Sequence, residues 1–297
     1  MSKIKVSELF YSIQGEGRYM GVPSVFLRTF GCNFTCGGFG MPKGELSTER
    51  DAVAVKVTDY NSYKELPLVS TGCDSYASWD VRFKHLSPLV EVKELVHNII
   101  DLLPKKWPMP GWGDEHLVIT GGEPLLGWQR SYPELLDHDE MRALKELTFE
   151  TNGTQKLHDD MVAFLQYWKK DQYVRTGVLR EDRGYDSLTF SVSPKLSPSG
   201  EKYEDAIKPE IIAQYEDIGY TYLKFVVSKE TETEEIWTAV EDYRAAGFRG
   251  PIYLMPVGGV EQVYSMNNRD VANLAMKMGF RYSDRLQVPL FKNAWGT

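Results

Sequence analysis

The chain contains three cysteines, and their thiols are its clearest candidates for metal or redox chemistry. Cys32 and Cys36 are separated by three residues, and Cys73 follows after 36 more. Cysteine thiolates are the usual ligands of a [4Fe–4S] cluster, and three of them leave one of the four irons free for another ligand. The same residues are compatible with a zinc site completed by a histidine, or with three unrelated buried thiols. The cysteines alone leave the chemistry open.

A glycine pair supplies a second candidate ligand site. The apolar run 116–120 leads directly into Gly121, Gly122 and Glu123. Glycines at a strand end let a ligand approach the backbone closely, and a carboxylate beside them can accept hydrogen bonds from an ammonium group. The alternative is an ordinary tight turn that ends the strand.

The elements that would position these residues alternate between helix and strand after residue 90. Apolar spacing predicts helices at 91–103, 141–147, 159–169, 209–215, 232–246 and 271–278. Strands are predicted at 6–13, 24–30, 116–120, 148–151, 187–192, 220–227, 252–255 and 285–290. Repeated β–α units imply parallel strands joined by right-handed crossovers, with the chemistry at the carboxyl ends of the strands. We therefore predict a single α/β domain over residues 1–297, a partial (β/α) barrel.

Composition excludes several classes of protein. The net charge of −8 argues against a nucleic-acid partner, because phosphate binding needs clustered Lys and Arg. No apolar stretch approaches the roughly 20 residues of a membrane span, and the first residues lack the apolar core of a signal peptide. These features predict a cytoplasmic protein without a disulfide framework.

Residues 37–72 form an insertion between the second and third cysteines. The insertion is rich in small and polar residues, and it has no cysteine or histidine. Val53, Val55 and Val57 predict a β-prone middle. We expect an accessory loop and not a separate cofactor-binding element.

A series of motifs, in order along the chain, resembles the 7-carboxy-7-deazaguanine synthase family of the radical S-adenosylmethionine (SAM) superfamily. The motifs are residues 11–17, 26–33, 73–75 with Trp79, 119–124, 149–154, 193–195, 223–227 and the stretch from 285–286 to 296–297. The superfamily spaces its cluster cysteines by three and then two residues. This chain keeps the first spacing and replaces the second with 36 residues.

The resemblance implies a barrel of the radical SAM type with a [4Fe–4S] cluster, SAM and Mg²⁺ as cofactors. It implies conversion of 6-carboxy-5,6,7,8-tetrahydropterin to 7-carboxy-7-deazaguanine with loss of ammonia, in 7-deazapurine (queuosine-type) biosynthesis. The reduced cluster cleaves SAM to a 5′-deoxyadenosyl radical, which abstracts a hydrogen from the pterin and later returns it. A flavodoxin- or ferredoxin-type electron donor and a homodimer are also implied.

Site residues follow from the matching positions. The cluster would be held by Cys32, Cys36 and Cys73, and Mg²⁺ by the hydroxyl of Ser75, which is otherwise a turn serine. SAM would be held by Gly122, Glu123, Glu150, Ser193, Pro194, Lys195, Met255, Pro256, Val257 and Gly258. The pterin would contact Ile13, Gln14, Gly15, Glu16, Arg28, Thr120, Gln287 and Thr297.

The chemistry of three substrate positions bears on the roles expected of them. Arg28 suits a carboxylate because its guanidinium binds bidentately, although an ordinary salt bridge is the alternative. Gln287 stands where the family is expected to have histidine, and an amide still supplies a donor and an acceptor. The terminal carboxylate of Thr297 is expected to reach the site.

Two other functions remain open from the sequence. An enzyme that generates a glycyl radical on a partner protein would share the cluster and the glycine motif. A non-catalytic module would instead use the cysteines and a histidine to hold zinc.

Overall fold

The computed structural model describes residues 2–105, 111–176, 187–228, 231 and 233–297. Its strands are β1 (Lys3–Ile13), β2 (Pro23–Thr29), β3 (Leu89–Glu91), β4 (His116–Gly121), β5 (Glu146–Thr151), β6 (Leu188–Val192), β7 (Tyr220–Val227), β8 (Ile252–Pro256) and β9 (Arg281–Tyr282). Its α-helices are α1 (Glu49–Ala54), α2 (Val92–Leu102), α3 (Tyr132–Leu136), α4 (Asp159–Thr176), α5 (Tyr203–Ala206), α6 (Pro209–Ile218), α7 (Thr233–Ala245), α8 (Glu261–Met278) and α9 (Gln287–Phe291). Residue 232, where one predicted helix begins, lies outside the described residues.

The strands form one sheet in the order β3-β1-β2-β4-β5-β6-β7-β8-β9. Every neighbouring pair from β2 to β9 is parallel, whereas β1 is antiparallel to both β2 and β3. Every residue of β6 and β8 is buried. A strand covered on both faces reads as an apolar run, as β8 does, whereas β6 alternates apolar residues with Thr189 and Ser191, which are also buried. The α/β prediction is confirmed.

Helices between the strands supply the outer layer of the core. In α2 the buried residues are Val92, Leu95, Val96, Ile99 and Ile100, a spacing that places them on one helical face. Inside the sheet, Phe149 and Phe190 stack with ring centroids 5.8 Å apart. Tyr215 of α6 stacks on Phe190 at 4.6 Å. The parallel strands are thereby fixed against their crossover helices.

Three secondary-structure predictions are wrong. The helix predicted at 141–147 is a 3₁₀ turn, Asp139–Met141, followed by the start of β5. Its apolar residues are buried by a turn and a strand instead, since a short apolar run fits either period. The strand predicted at 285–290 is instead α9, whose Pro289 lies in the first turn, where no backbone N–H is needed. The valines of the insertion lie in or beside α1 and a 3₁₀ turn, Val57–Asp59.

The insertion has its own small apolar core. Its buried residues are Ala54, Tyr63, Leu66 and Val69, together with Tyr76, Ala77 and Phe83 from the chain that follows. We call this group the second core. In addition, none of the described helices has the length and apolar character that a membrane span requires.

Candidate active site

A cavity of about 250 Å³ lies at the carboxyl ends of the parallel strands. Thr120 ends β4, Glu150 lies near the end of β5, and Ser193 directly follows β6. The cavity is also lined by the turn after β1, the cysteine segments and the stretch 293–297. Every predicted site residue lines the cavity except Glu123, Pro194 and Pro256. The structure thus gathers motifs that are dispersed through the sequence.

The three cysteines lie together at one end of this cavity. Cys36 packs in an apolar cluster with Phe34 and Ala206, and Cys32 and Cys73 pack against the same cluster. Cys36 has a left-handed backbone with φ of 48°. Its N–H donates to the carboxylate of Glu201 at 2.7 Å. This bond holds the strained turn that brings the second thiol inward.

The thiols accept hydrogen bonds from their surroundings. The indole Nε1–H of Trp79 donates to Sγ of Cys73 at 3.3 Å, and the backbone N–H of Phe34 donates to Sγ of Cys32 at 3.4 Å. Burial raises the pKa of Cys32 to about 12 and also raises the pKa values of Cys36 and Cys73. A bound metal centre stabilises the thiolate and reverses this effect. Three buried thiols in one apolar cluster therefore fit an iron–sulfur cluster chemically.

A site for a single metal ion, as opposed to a cluster, is not found. In the parts of the chain that the structure describes, no three His, Cys, Asp or Glu side chains are grouped closely enough to hold one metal ion.

The glycine pair after β4 lies directly against the first cysteine. A Cβ atom on Gly122 would stand 2.4 Å from the carbonyl oxygen of Gly31 and 2.7 Å from Cβ of Cys32. The N–H of Glu123 donates to that same Gly31 carbonyl at 2.7 Å. Only glycine permits this approach, so the motif joins the end of β4 to the cysteine turn.

Glu123 is placed differently from the sequence-based expectation. Its side chain is fully buried, and its carboxylate accepts from Leu125 N–H at 3.0 Å, Thr151 Oγ1–H at 2.8 Å and Asn152 N–H at 2.7 Å. Burial raises its pKa to about 7, although the backbone donors favour the ionised form. The carboxylate thus ties the end of β4 to the end of β5. Both of its oxygens are used inside the protein.

A buried ionic network also lines the cavity. The carboxylate of Glu16 contacts Nζ of Lys224, Nε of Arg285 at 3.2 Å and Nε2 of Gln287 at 2.8 Å. Burial opposes ionisation of Glu16, but Lys224 and Arg285 outweigh it and lower its pKa to about 2. Arg285 also pairs with Asp74 at 2.6 Å. Glu16 is therefore a fixed negative charge.

Sequence reasoning missed Lys224, Arg285, Asp74 and Glu8 as individual site residues. Lys224 carried one usable signal, a lone charged residue in the otherwise apolar β7. A buried cation of this kind requires a partner. Arg285 had no comparable local signal.

Arg28 links Glu8 of β1 to Ser75, which lies two residues after Cys73. Its Nε donates to Glu8 at 2.8 Å, and its Nη1 donates to Oγ of Ser75 at 3.1 Å. Oγ of Ser75 in turn donates to Asp74 at 3.2 Å. Hydroxyl and carboxylate oxygens are the ligands that Mg²⁺ prefers. This corner therefore fits a small hard cation beside an anion-binding arginine.

Gln14 and Gln287 line the cavity next to Glu16. Nε2 of Gln14 donates to Glu150 at 3.0 Å, and its Oε1 accepts from Glu16 N–H at 3.0 Å. Oε1 of Gln287 is buried and has no hydrogen-bond partner among the described residues. A Cβ atom on Gly15 would stand 1.9 Å from that oxygen. Glycine at position 15 is thus required by the placement of the Gln287 side chain.

Comparison with known proteins identifies similar chains over nearly the whole length. No family model matches. A 7-carboxy-7-deazaguanine synthase of Halobacterium salinarum is 28% identical, and the alignment covers 98% of this chain and 91% of that protein. The synthase of Pyrobaculum aerophilum is also 28% identical, over 99% of this chain and 97% of the relative.

A solved structure supports the fold. The crystal structure of QueE from Escherichia coli superposes with a TM-score of 0.51 at 18% identity, covering 95% of this chain and 93% of that one. The chain therefore has the α/β fold of QueE, with a parallel sheet, which agrees with the predicted partial barrel. The chain is thus similar over nearly its whole length to several proteins named 7-carboxy-7-deazaguanine synthase, and it shares the fold of QueE.

Proposed function

We propose that this chain is a radical SAM enzyme that converts 6-carboxy-5,6,7,8-tetrahydropterin to 7-carboxy-7-deazaguanine with release of ammonia. One observation carries the proposal. A single cavity at the strand ends is lined both by three clustered thiols and by a fixed ionic network. That arrangement matches a reaction that needs a redox centre next to a polar, carboxylate-bearing substrate.

The thiol side would hold the cofactors. We assign Cys32, Cys36 and Cys73 to a [4Fe–4S] cluster, which when bound supplies the electron for reductive cleavage of SAM. Gly122 lies against Cys32, so a ligand in contact with its backbone would also adjoin the cysteines. Lys195, with Nζ 3.2 Å from Oγ of Ser193, would add a cation for a carboxylate. The protein supplies orientation and excludes water, while the cofactor carries the difficult chemistry.

The rest of the proposed SAM contacts lie at later strand ends. Glu150, Ser193 and the stretch 255–258 follow β5, β6 and β8, and most of them line the cavity. Pro194 and Pro256 do not line it, so we assign them to shaping the turns that carry their neighbours. Glu123 we assign to holding the glycine turn and not to direct contact with the SAM ammonium group.

The ionic side would hold the pterin. The 2-amino-4-oxo edge of the pterin carries N–H donors, and the ionised carboxylate of Glu16 would accept hydrogen bonds from them. Gln14 and Glu150 continue the polar wall. Arg28 would bind the substrate carboxylate together with Mg²⁺ on Ser75 and Asp74. Ile13, Gly15, Thr120 and Thr297 complete the lining.

The partners are proposed on family grounds. We expect a flavodoxin- or ferredoxin-type protein to deliver the electron, and a homodimer in solution. Analytical ultracentrifugation of the purified protein checks the second expectation, and a single species at the monomer mass would refute it.

The decisive experiment is anaerobic turnover. The reconstituted protein is incubated with SAM, reductant, Mg²⁺ and the carboxy-tetrahydropterin, and the products are read by mass spectrometry. Formation of 7-carboxy-7-deazaguanine supports the proposal, with the Cys36→Ala variant as an inactive control. SAM cleavage without pterin conversion would favour a glycyl-radical activating enzyme. A colourless protein that retains zinc and lacks iron would favour the metal-binding module.

A further inference from the structure

The insertion, residues 37–72, is in contact with the last stretch of the chain. We call residues 292–297 the tail segment. Both line the cavity: Leu68 and Ser70 do so from the insertion, and Asn293 to Thr297 do so from the tail segment.

Trp295 is the residue that joins them. Its ring lies 5.6 Å from the ring of Tyr63 and 5.7 Å from the ring of Tyr76, the second in an edge-on arrangement. Its Nε1–H donates to the carbonyl oxygen of Leu66 at 3.1 Å. An indole with two aromatic neighbours and a satisfied N–H is well matched to its position. These three partners belong to the second core.

The second core is itself rigidly held. The hydroxyl of Tyr63 bonds to Ala77 O at 3.0 Å and to Ser87 Oγ at 2.5 Å, and that of Tyr76 donates to Pro67 O at 2.9 Å. Both tyrosines are buried. The partners of Trp295 thus have further hydrogen bonds that do not involve the tail segment.

The tail segment also makes contacts of its own with the rest of the chain. Lys292 and Asn293 adopt positive φ angles of 58° and 54°, which are costly for residues other than glycine. Asn293 Nδ2 donates to Gly259 O at 2.8 Å, and the backbone of Gly296 bonds to Glu8. Glu8 is the partner of Arg28, so the tail segment lies against the proposed carboxylate-binding corner.

We propose that the insertion is a socket for Trp295, and that this docking holds the tail segment as a wall of the pterin half of the cavity. Trp295 is then a positioning residue for the substrate, and the insertion controls substrate affinity without holding a cofactor. The identity of the substrate rests on the proposed function, whereas the docking itself does not.

The first measurement needs no activity. Hydrogen exchange of the amides in 292–297 is compared in the wild type, Trp295→Ala and Trp295→Phe. Exchange in Trp295→Ala should rise about tenfold or more, because the bonds from Asn293 N–H to Gln287 O and from Thr297 N–H to Ala294 O would open more often. Trp295→Phe keeps an aromatic ring and loses the bond to Leu66, so its exchange should be intermediate.

The second measurement separates positioning from general damage. In Trp295→Ala, KM for the carboxy-tetrahydropterin should rise about tenfold while kcat changes little, the pattern of lost binding that is uniform along the reaction. Reductive SAM cleavage without pterin should stay at the wild-type rate. The control is Trp237→Ala, a tryptophan on α7 that is 41% exposed and packs on Phe280 away from the cavity.

A third variant tests the socket directly. Replacing residues 38–70 with a short Gly/Ser linker removes Tyr63 and Leu66, so it should raise KM as Trp295→Ala does. Combining the two changes should add little, because residues in one contact are not independent. Additive effects, unchanged exchange in Trp295→Ala, or a parallel loss of SAM cleavage would each overturn the proposal. A wild-type protein that leaves the pterin unconverted would instead refute the proposed function, and the exchange data would still decide the docking.

Discussion

The buried pair between Glu16 and Lys224 makes a strong prediction about stability. The side chains are 13% and 5% exposed, so solvent screens their interaction poorly. Folding lowers the pKa of Glu16 from 4.5 to about 2, in spite of burial, because Lys224 and Arg285 favour its charged form. At roughly 1.4 kcal/mol per pKa unit, ionised Glu16 contributes about 3 kcal/mol to the free energy of unfolding at neutral pH.

The direction of the pH dependence follows from the lowered pKa. This contribution is fully present above the unfolded pKa of 4.5 and is lost as the pH falls towards 2. Glu16→Gln should therefore lower the free energy of unfolding by about 3 kcal/mol at pH 7. The deficit relative to wild type should shrink to about 2 kcal/mol near pH 3.5, where part of the wild-type advantage has gone.

The assay is urea unfolding of the protein before cluster reconstitution, so that loss of the cluster does not contribute. Glu91→Gln is the matched control, because Glu91 pairs with Lys3 at 3.3 Å and both side chains are 47% exposed. Exposed pairs contribute about 0.2–1 kcal/mol at most. If Glu16→Gln costs no more than Glu91→Gln, or if its deficit grows as the pH falls, the reasoning about the buried network is wrong.

Three further predictions concern the thiol side of the cavity. Cys73→Ala should lose most of its iron and sulfide on anaerobic reconstitution, and retention of a full four-iron cluster would refute its role as the third ligand. Trp79→Phe removes the N–H donor to Cys73 and should make the cluster harder to reduce, because hydrogen bonds to sulfur help to set the potential; an unchanged midpoint in an EPR-monitored titration would argue against that bond. Glu123→Ala leaves two buried backbone N–H groups unpaired and should cost about 2–4 kcal/mol in urea unfolding, whereas a stable variant with weakened SAM binding would restore the direct role expected from the motif.

Much of the site was predictable because its motifs end parallel strands. Thr120, Glu150 and Met255 lie on three different strands, yet one edge of the sheet brings them to the same cavity. The resemblance named these residues, and the apolar runs with the rule that chemistry lies at the carboxyl ends predicted that they would meet. Their roles in binding stay a prediction.

The ionic network was not predictable because its partners are far apart in the chain. Glu16 pairs with Lys224 across 208 residues, and Arg285 reaches Glu16 across 269 and Asp74 across 211. No periodicity carries such information. Asp74 and Glu16 belonged to recognised motifs, but the sequence did not indicate that one arginine connects them.

The segment 285–290, wrongly predicted as a strand, shows how Arg285 comes to lie next to Glu16. As a strand, this segment would have continued away from the turn after β1. Instead Leu286 N–H donates to Gly15 O at 3.1 Å, and α9 begins at Gln287, so the chain curls around residues 15 and 16. Arg285 and Gln287 then reach the same carboxylate. The single helical turn also sends the chain back towards the insertion, where Trp295 finds its partners. The substrate half of the cavity thus depends on tertiary contacts made after the last long helix, which explains why a reading of local patterns located the cofactor side more completely.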